Sequence, residues 1–138
     1  MDFLVLPYAT ITHEAGIVYI KFNDKVEIGL YEIREIVNSC EKLSDYKPYY
    51  VLADARERVN LTPMGIKCAA DANEAPLHRG TAVIINSHIM EKAANIFGKI
   101  VRLPFPYRMF TDKTQAIPWL HSLHGNFKEK GLENKMTA

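Results

Sequence analysis

Between Thr10 and Phe22, apolar and polar positions alternate and β-branched and aromatic residues cluster around a Glu14-Ala15-Gly16 break. That pattern predicts two strands joined by a tight turn, a hairpin that opens the domain. After Asn23-Asp24, the positions Leu30, Ile33, Val37 and Cys40, with Ile36 and Leu43 beside them, recur at spacings of three and four and predict an amphipathic helix. Tyr49-Tyr50-Val51-Leu52-Ala53 is an unbroken apolar run ending at Asp54, the pattern of a strand buried on both faces. Ala55 to Asn60 reads as a loop. Thr62-Pro63 supplies a hydroxyl cap and a proline at the first helical position, so a second helix is expected to run to about Asn73.

Thr81-Ala82-Val83-Ile84-Ile85 repeats the buried-strand pattern, and Ser87 is placed to cap a third helix with the stripe Ile89, Ala93, Ile96, Phe97 and Ile100. Pro104 and Pro106 close that helix, Tyr107 to Phe110 forms a last strand, and Asp112 with Gln115 resembles a capping box. Ala116, Ile117, Trp119, Leu120 and Leu123 form the apolar side of a final helix, with a kink or late start expected at Pro118. From Gly125 onward the pattern is polar, so residues 1–124 are read as one domain and 125–138 as a disordered tail.

Composition changes this picture little. The 138 residues are 48% hydrophobic and 24% charged with a formal net charge of +1, the balance of a globular chain that buries one core. That balance supplies no electrostatic footprint for nucleic acid. No apolar run reaches the length of a membrane span, and the first residues lack the features of a signal peptide, so no integral membrane association and a cytoplasmic location are expected. Cys40 and Cys68 fall in helical stretches without metal-ligand spacing and read as buried thiols.

A hairpin followed by alternating strands and helices implies an α/β fold: one mixed sheet of about five strands flanked by about four helices. The strand ending Val51-Leu52-Ala53-Asp54, the strand Ala82-Val83-Ile84-Ile85, and the closing Tyr107-Arg108-Met109-Phe110 followed by Ala116-Ile117-Pro118-Trp119-Leu120 resemble the STAS/SEC14 family, which includes the SpoIIAA-like domains. The resemblance covers about Thr10 to Leu123. It implies a non-enzymatic regulatory or ligand-binding module, related to anti-sigma-factor antagonists and small lipid-binding domains. In the antagonist branch a phosphorylatable hydroxyl follows the Asp that ends the third strand. Here Asp54 matches the Asp, but Ala55 and Arg56 follow it and the nearest hydroxyl is Thr62. The departure counts against a phosphorylation switch.

Asp54 ends a buried parallel strand, where open α/β sheets hold ligands. It equally suits a salt bridge with Arg56 or Arg58. Asp54, Arg56 and Thr62 are therefore the candidate border of a partner or anion surface, and Phe105, in the proline-bounded loop Leu103 to Pro106, is a candidate exposed contact patch. His121 and His124 share a helix face, but two ligands do not make a zinc site; no metal site and no cofactor are expected. His78 reads as a solvated loop residue. With no GxSxG, P-loop or GxGxxG present, no catalytic residue is assigned. Two readings lead: a protein-interaction module, and a carrier of a small apolar ligand in a pocket lined by Met64, Ile66, Phe97, Ile100, Leu103, Phe105 and Met109. A homodimer is compatible with either.

Overall fold

The computed structural model describes residues 2–88, 90–91 and 103–124. In chain order these form β1 (Phe3–Leu6), β2 (Ala9–Glu14), β3 (Ile17–Phe22), β4 (Val26–Ile28), α1 (Leu30–Leu43), β5 (Tyr49–Asp54), β6 (Val59–Leu61), α2 (Pro63–Ala69), β7 (His78–Ile84), β8 (Tyr107–Phe110) and a closing helix over 113–124. Six strands make one sheet in the order β1-β2-β3-β5-β7-β8, and β4 and β6 pair in a separate two-stranded sheet. β1, β2 and β3 run antiparallel to one another in turn, whereas β3, β5, β7 and β8 are parallel.

The β2–β3 hairpin forms where alternation predicted it. Ala15 and Gly16 both take positive φ (51° and 81°), the backbone that a two-residue turn needs to match the strands' twist. Gly29 precedes α1 as its cap, its N–H held by the Glu32 carboxylate at 2.9 Å, and the helix buries Ile36 and Cys40. Thr62 caps α2, its hydroxyl accepting from Gly65 N–H at 3.0 Å. α1 and α2 pack against each other.

Because β5 is central and parallel on both sides, both its faces are covered. Tyr49 and Val51 join Ile11, Val18, Ile20, Ile36 and Cys40 on the α1 side. Tyr50 and Leu52 join Ile17, Ala82, Ile84, Phe110, Ala116 and Leu120 on the side of the closing helix. That helix reaches across as far as β3, where the Lys113 ammonium lies 5.4 Å from the centre of the Tyr19 ring.

Several expectations are corrected. The main sheet has six strands, not about five: β1 was missed, and the expected loop after Ala55 contains β6, which pairs with the equally short β4. α2 stops at Ala69 rather than near Asn73, because Asp71 starts a turn, its carboxylate accepting from Asn73 N–H (2.9 Å) and its carbonyl from Glu74 N–H (3.1 Å). β7 starts three residues earlier than expected, at His78. The closing helix starts at 113 and continues through Pro118, so no late start occurs. Most of the third expected helix, at 89 and 92–102, lies outside the described residues, although the Ser87 hydroxyl accepts from Met90 N–H (3.2 Å), as its capping role requires. The expected tail, 125–138, also lies outside them.

Candidate functional site

β5 delivers Asp54 to the end of the sheet, in register with Lys21 of β3 and Ile84 of β7. The chain then folds back on this carboxylate. Arg56 donates to it from Nε (2.9 Å), Nη2 (2.7 Å) and its own backbone N–H (3.2 Å). These bonds hold the Asp54 carboxyl below its ordinary range. Asn86, just past β7, donates to the Arg56 carbonyl and ties the loop to the neighbouring strand. Two residues on, Arg58 grips Asp24 in the same way, from Nε (3.0 Å), Nη2 (2.6 Å) and backbone N–H (3.1 Å), joining the β5–β6 loop to the β3–β4 turn. The structure thus brings Asp54 and Arg56 together as a closed clamp. Thr62 is not among the groups that form this clamp, its hydroxyl being committed to capping α2.

Phe105 is not the exposed patch expected of it. It is half-buried, its ring centroid 4.2 Å from that of His78, which in turn stacks on Tyr49 at 5.8 Å. His78 is half-buried rather than a solvated loop residue. Burial pushes its imidazole down to about 4, and Nε2 shares a short hydrogen bond with the Thr81 hydroxyl. The difference has a physical cause: β7 begins at His78 with an irregularity in its pairing to β5, between Tyr49 and Val51, and no local pattern announces that. His124 packs edge-on against Tyr50, and His121 is exposed. Cys40 and Cys68 are free and buried, and burial raises both thiols, Cys40 to about 12. Among the described residues no group of three or more His, Cys, Asp or Glu is placed to hold a metal ion.

Of the residues expected to line an apolar pocket, the two on α2 do not turn inward. Met64 and Ile66 are 55% and 52% exposed, on the two shoulders of the line by which Gly65 and Cys68 bury α2. Phe97 and Ile100 lie outside the described residues. A shallow open concavity of about 590 Å³ sits instead over β4 and β6, lined by Lys25, Val26, Glu27, Arg58, Val59 and Asn60. What the sequence pattern did not reveal is an apolar surface at one corner of the fold. α2 is seated so closely on the β4–α1 junction that a Cβ on Gly65 would lie 2.6 Å from the Ile28 carbonyl oxygen. Leu61 borders that seat, and it, Tyr31 near the start of α1 (79% exposed), Met64 and Ile66 all face solvent. A seven-residue helix that buries only Gly65 and Cys68 leaves its other apolar residues outside.

A family model described as Domain of unknown function (DUF7793) matches residues 11–124. The chain belongs to that family. No curated protein matches it. Among solved structures, this DUF7793 domain is similar to an uncharacterised protein of the DUF3478 family with a SpoIIAA-like fold from Shewanella loihica PV-4, with 16% sequence identity and a TM-score of 0.56 over 81% of this chain and 91% of that one. The fold is SpoIIAA-like, as the resemblance in the sequence implied. In the described part of this DUF7793 domain no helix is long and apolar enough to cross a membrane.

Proposed function

We propose that this chain is a non-catalytic docking module, and that a partner protein seats on the apolar corner formed by Tyr31, Leu61, Met64 and Ile66. The observation that carries this reading is the exposure of each of these side chains on the elements that meet where Gly65 is seated against Ile28 and Gly29. Contiguous exposed apolar surface bounded by polar residues is characteristic of interaction sites. Here Glu32, Arg34 and Lys67 supply the polar neighbours. The Asp54–Arg56 and Asp24–Arg58 clamps have a supporting role, fixing the loops that lead into β6 and so the approach to α2. In this reading Asp54, Arg56 and Thr62 shape the docking surface from behind rather than contact the partner. The rival reading, a carrier of an apolar ligand, draws less support, because Met64 and Ile66 face outward and Phe105 is used up on His78.

The test is site-specific photo-cross-linking in the native host, with the photoreactive side chain at Met64 or, as a control, at exposed Tyr46 beyond the far end of α1. A discrete protein adduct at Met64 that is absent at Tyr46 and lost on Ile66→Asp supports docking at this corner. Equal or absent labelling at the two positions overturns it, and a stoichiometric small-molecule mass on the purified chain in native mass spectrometry would favour the carrier instead.

A further inference from the structure

The two edges of the six-stranded sheet are built differently. Proline and charge on an edge strand both discourage a further strand from pairing, and β8 carries the exposed Arg108. β1, at the opposite edge, reads Phe3-Leu4-Val5-Leu6, with neither device inside it, and lies before the residues that the family model matches. Its ladder fixes which backbone groups are spare. His13 N–H donates to the Asp2 carbonyl (3.3 Å), so with the register Leu4↔Ile11 and Leu6↔Ala9 the hydrogen-bonded pairs are those of Asp2, Leu4 and Leu6. The N–H and C=O groups of Phe3 and Val5 therefore point away from β2, along an edge that no described strand pairs. The side chains of the same two residues are 62% and 69% exposed, beyond the reach of the closing helix, which ends its coverage at Tyr19. The strand is firmly presented: Asn23 Nδ2 donates to the Pro7 carbonyl (3.0 Å), and the Tyr8 hydroxyl donates to the Glu35 carboxylate (2.5 Å).

We propose that this edge is the seam of a twofold dimer, in which β1 pairs antiparallel with β1 of a second copy and joins two six-stranded sheets into one of twelve. With Leu4 opposite its twin, Phe3 of each copy meets Val5 of the other, and all four outward N–H groups and all four outward C=O groups are satisfied. Phe3 and Val5 then lie side by side across the seam, flanked by Thr10 and Thr12, and no charge is set against a like charge. A second copy is the occupant that this self-complementary edge fits, and because both copies use the same edge the twofold seam closes the assembly at two instead of letting it grow into a filament. Two four-residue strands with two exposed apolar side chains each cover less than the roughly 1,200 Å² of a stable interface, so the dimer is weak and exchanges rapidly. The inference is independent of the docking corner, which involves neither β1 nor its edge.

Sedimentation velocity of the full chain from about 1 µM to about 300 µM tests it over the range in which weak dimers form. The expected result is a sedimentation coefficient that climbs from the monomer toward the dimer value. Val5→Pro removes only an outward N–H and is tolerated on an edge strand, so it should hold the chain monomeric at every concentration with its thermal unfolding unchanged. Val5→Lys should do the same. In a Leu4→Cys variant the facing non-hydrogen-bonded pair brings the two Cβ atoms to about 5 Å, and mild oxidation should link two chains. A wild type that stays monomeric throughout, association that survives both Val5 variants, or a Leu4→Cys variant that does not cross-link would each overturn the proposal.

Discussion

Replacing Gly65 by alanine sets two effects of opposite sign against each other. In an open helix the change would stabilise by about 1 kcal/mol, since glycine is the poorer helix former. Here the new Cβ would lie 2.6 Å from the Ile28 carbonyl oxygen, 3.2 Å from Gly29 Cα and 3.2 Å from Leu61 Cδ1. An ordinary carbon–oxygen contact is about 3.3 Å, so α2 would have to retreat by roughly 0.7 Å. Its neighbours cannot retreat in its place. Ile28 is fully buried, and its carbonyl already accepts from Thr62 N–H at 3.0 Å. A contact this short against fixed backbone belongs in the upper part of the overpacking range, about 2–3 kcal/mol, which leaves a net destabilisation of about 1–2 kcal/mol. In urea unfolding monitored by circular dichroism the midpoint should fall by about 0.5–1 M with an unchanged slope. A variant as stable as the parent, or more so, would show that α2 is not seated on the Ile28–Gly29 backbone, and the rigid docking corner would lose its basis.

Two further outcomes concern the cap of α2 and the buried imidazole. Thr62→Ala should cost about 1 kcal/mol by removing the acceptor for Gly65 N–H while Thr62→Ser keeps most of it, as read by the same urea titration. For His78, the folded imidazole titrates near 4 against 6.5 for the free group, so the unfolded chain binds the extra proton between these values. Its contribution is complete above pH 6.5 and is lost as pH falls toward 4, by up to about 3 kcal/mol; His78→Gln should flatten the stability profile in that window, and an unchanged profile would refute the buried neutral imidazole.

Elements with enough residues to show a period were readable in the sequence. α1 repeats its apolar positions over fourteen residues, and β5 and β7 are apolar runs because sheet neighbours and two covering layers surround them. β4 and β6, three residues each, are too short for alternation to register, and they exist because Arg58 and Thr62 bond to the β4 segment. β1 has the alternation of a strand, but its outward positions are Phe3 and Val5, so the polar half of the pattern is missing. At the candidate site, Asp54 and Arg56 could be paired from their spacing alone, and the structure does pair them. The exposure of Met64 and Ile66 could not be read, because their burial depends on how far α2 sinks against Gly29, a tertiary distance with no local signature. Phe105 and His78 were misplaced for the same reason: Tyr49, His78 and Phe105 lie far apart along the chain and only the completed sheet stacks them.

The closing helix has a consequence for how the chain is made. The face carrying Ile17, Tyr50, Leu52, Ala82, Ile84 and Phe110 is fully synthesised once residue 110 has been added, yet its cover, with Ala116 and Leu120, comes afterwards. Until Leu120 has emerged and docked, that half of the core stays open to water and to chaperones. A translation product that stops short of Leu120 would retain every strand of the sheet and still present a sticky flank, a species suited to proteolysis rather than to use.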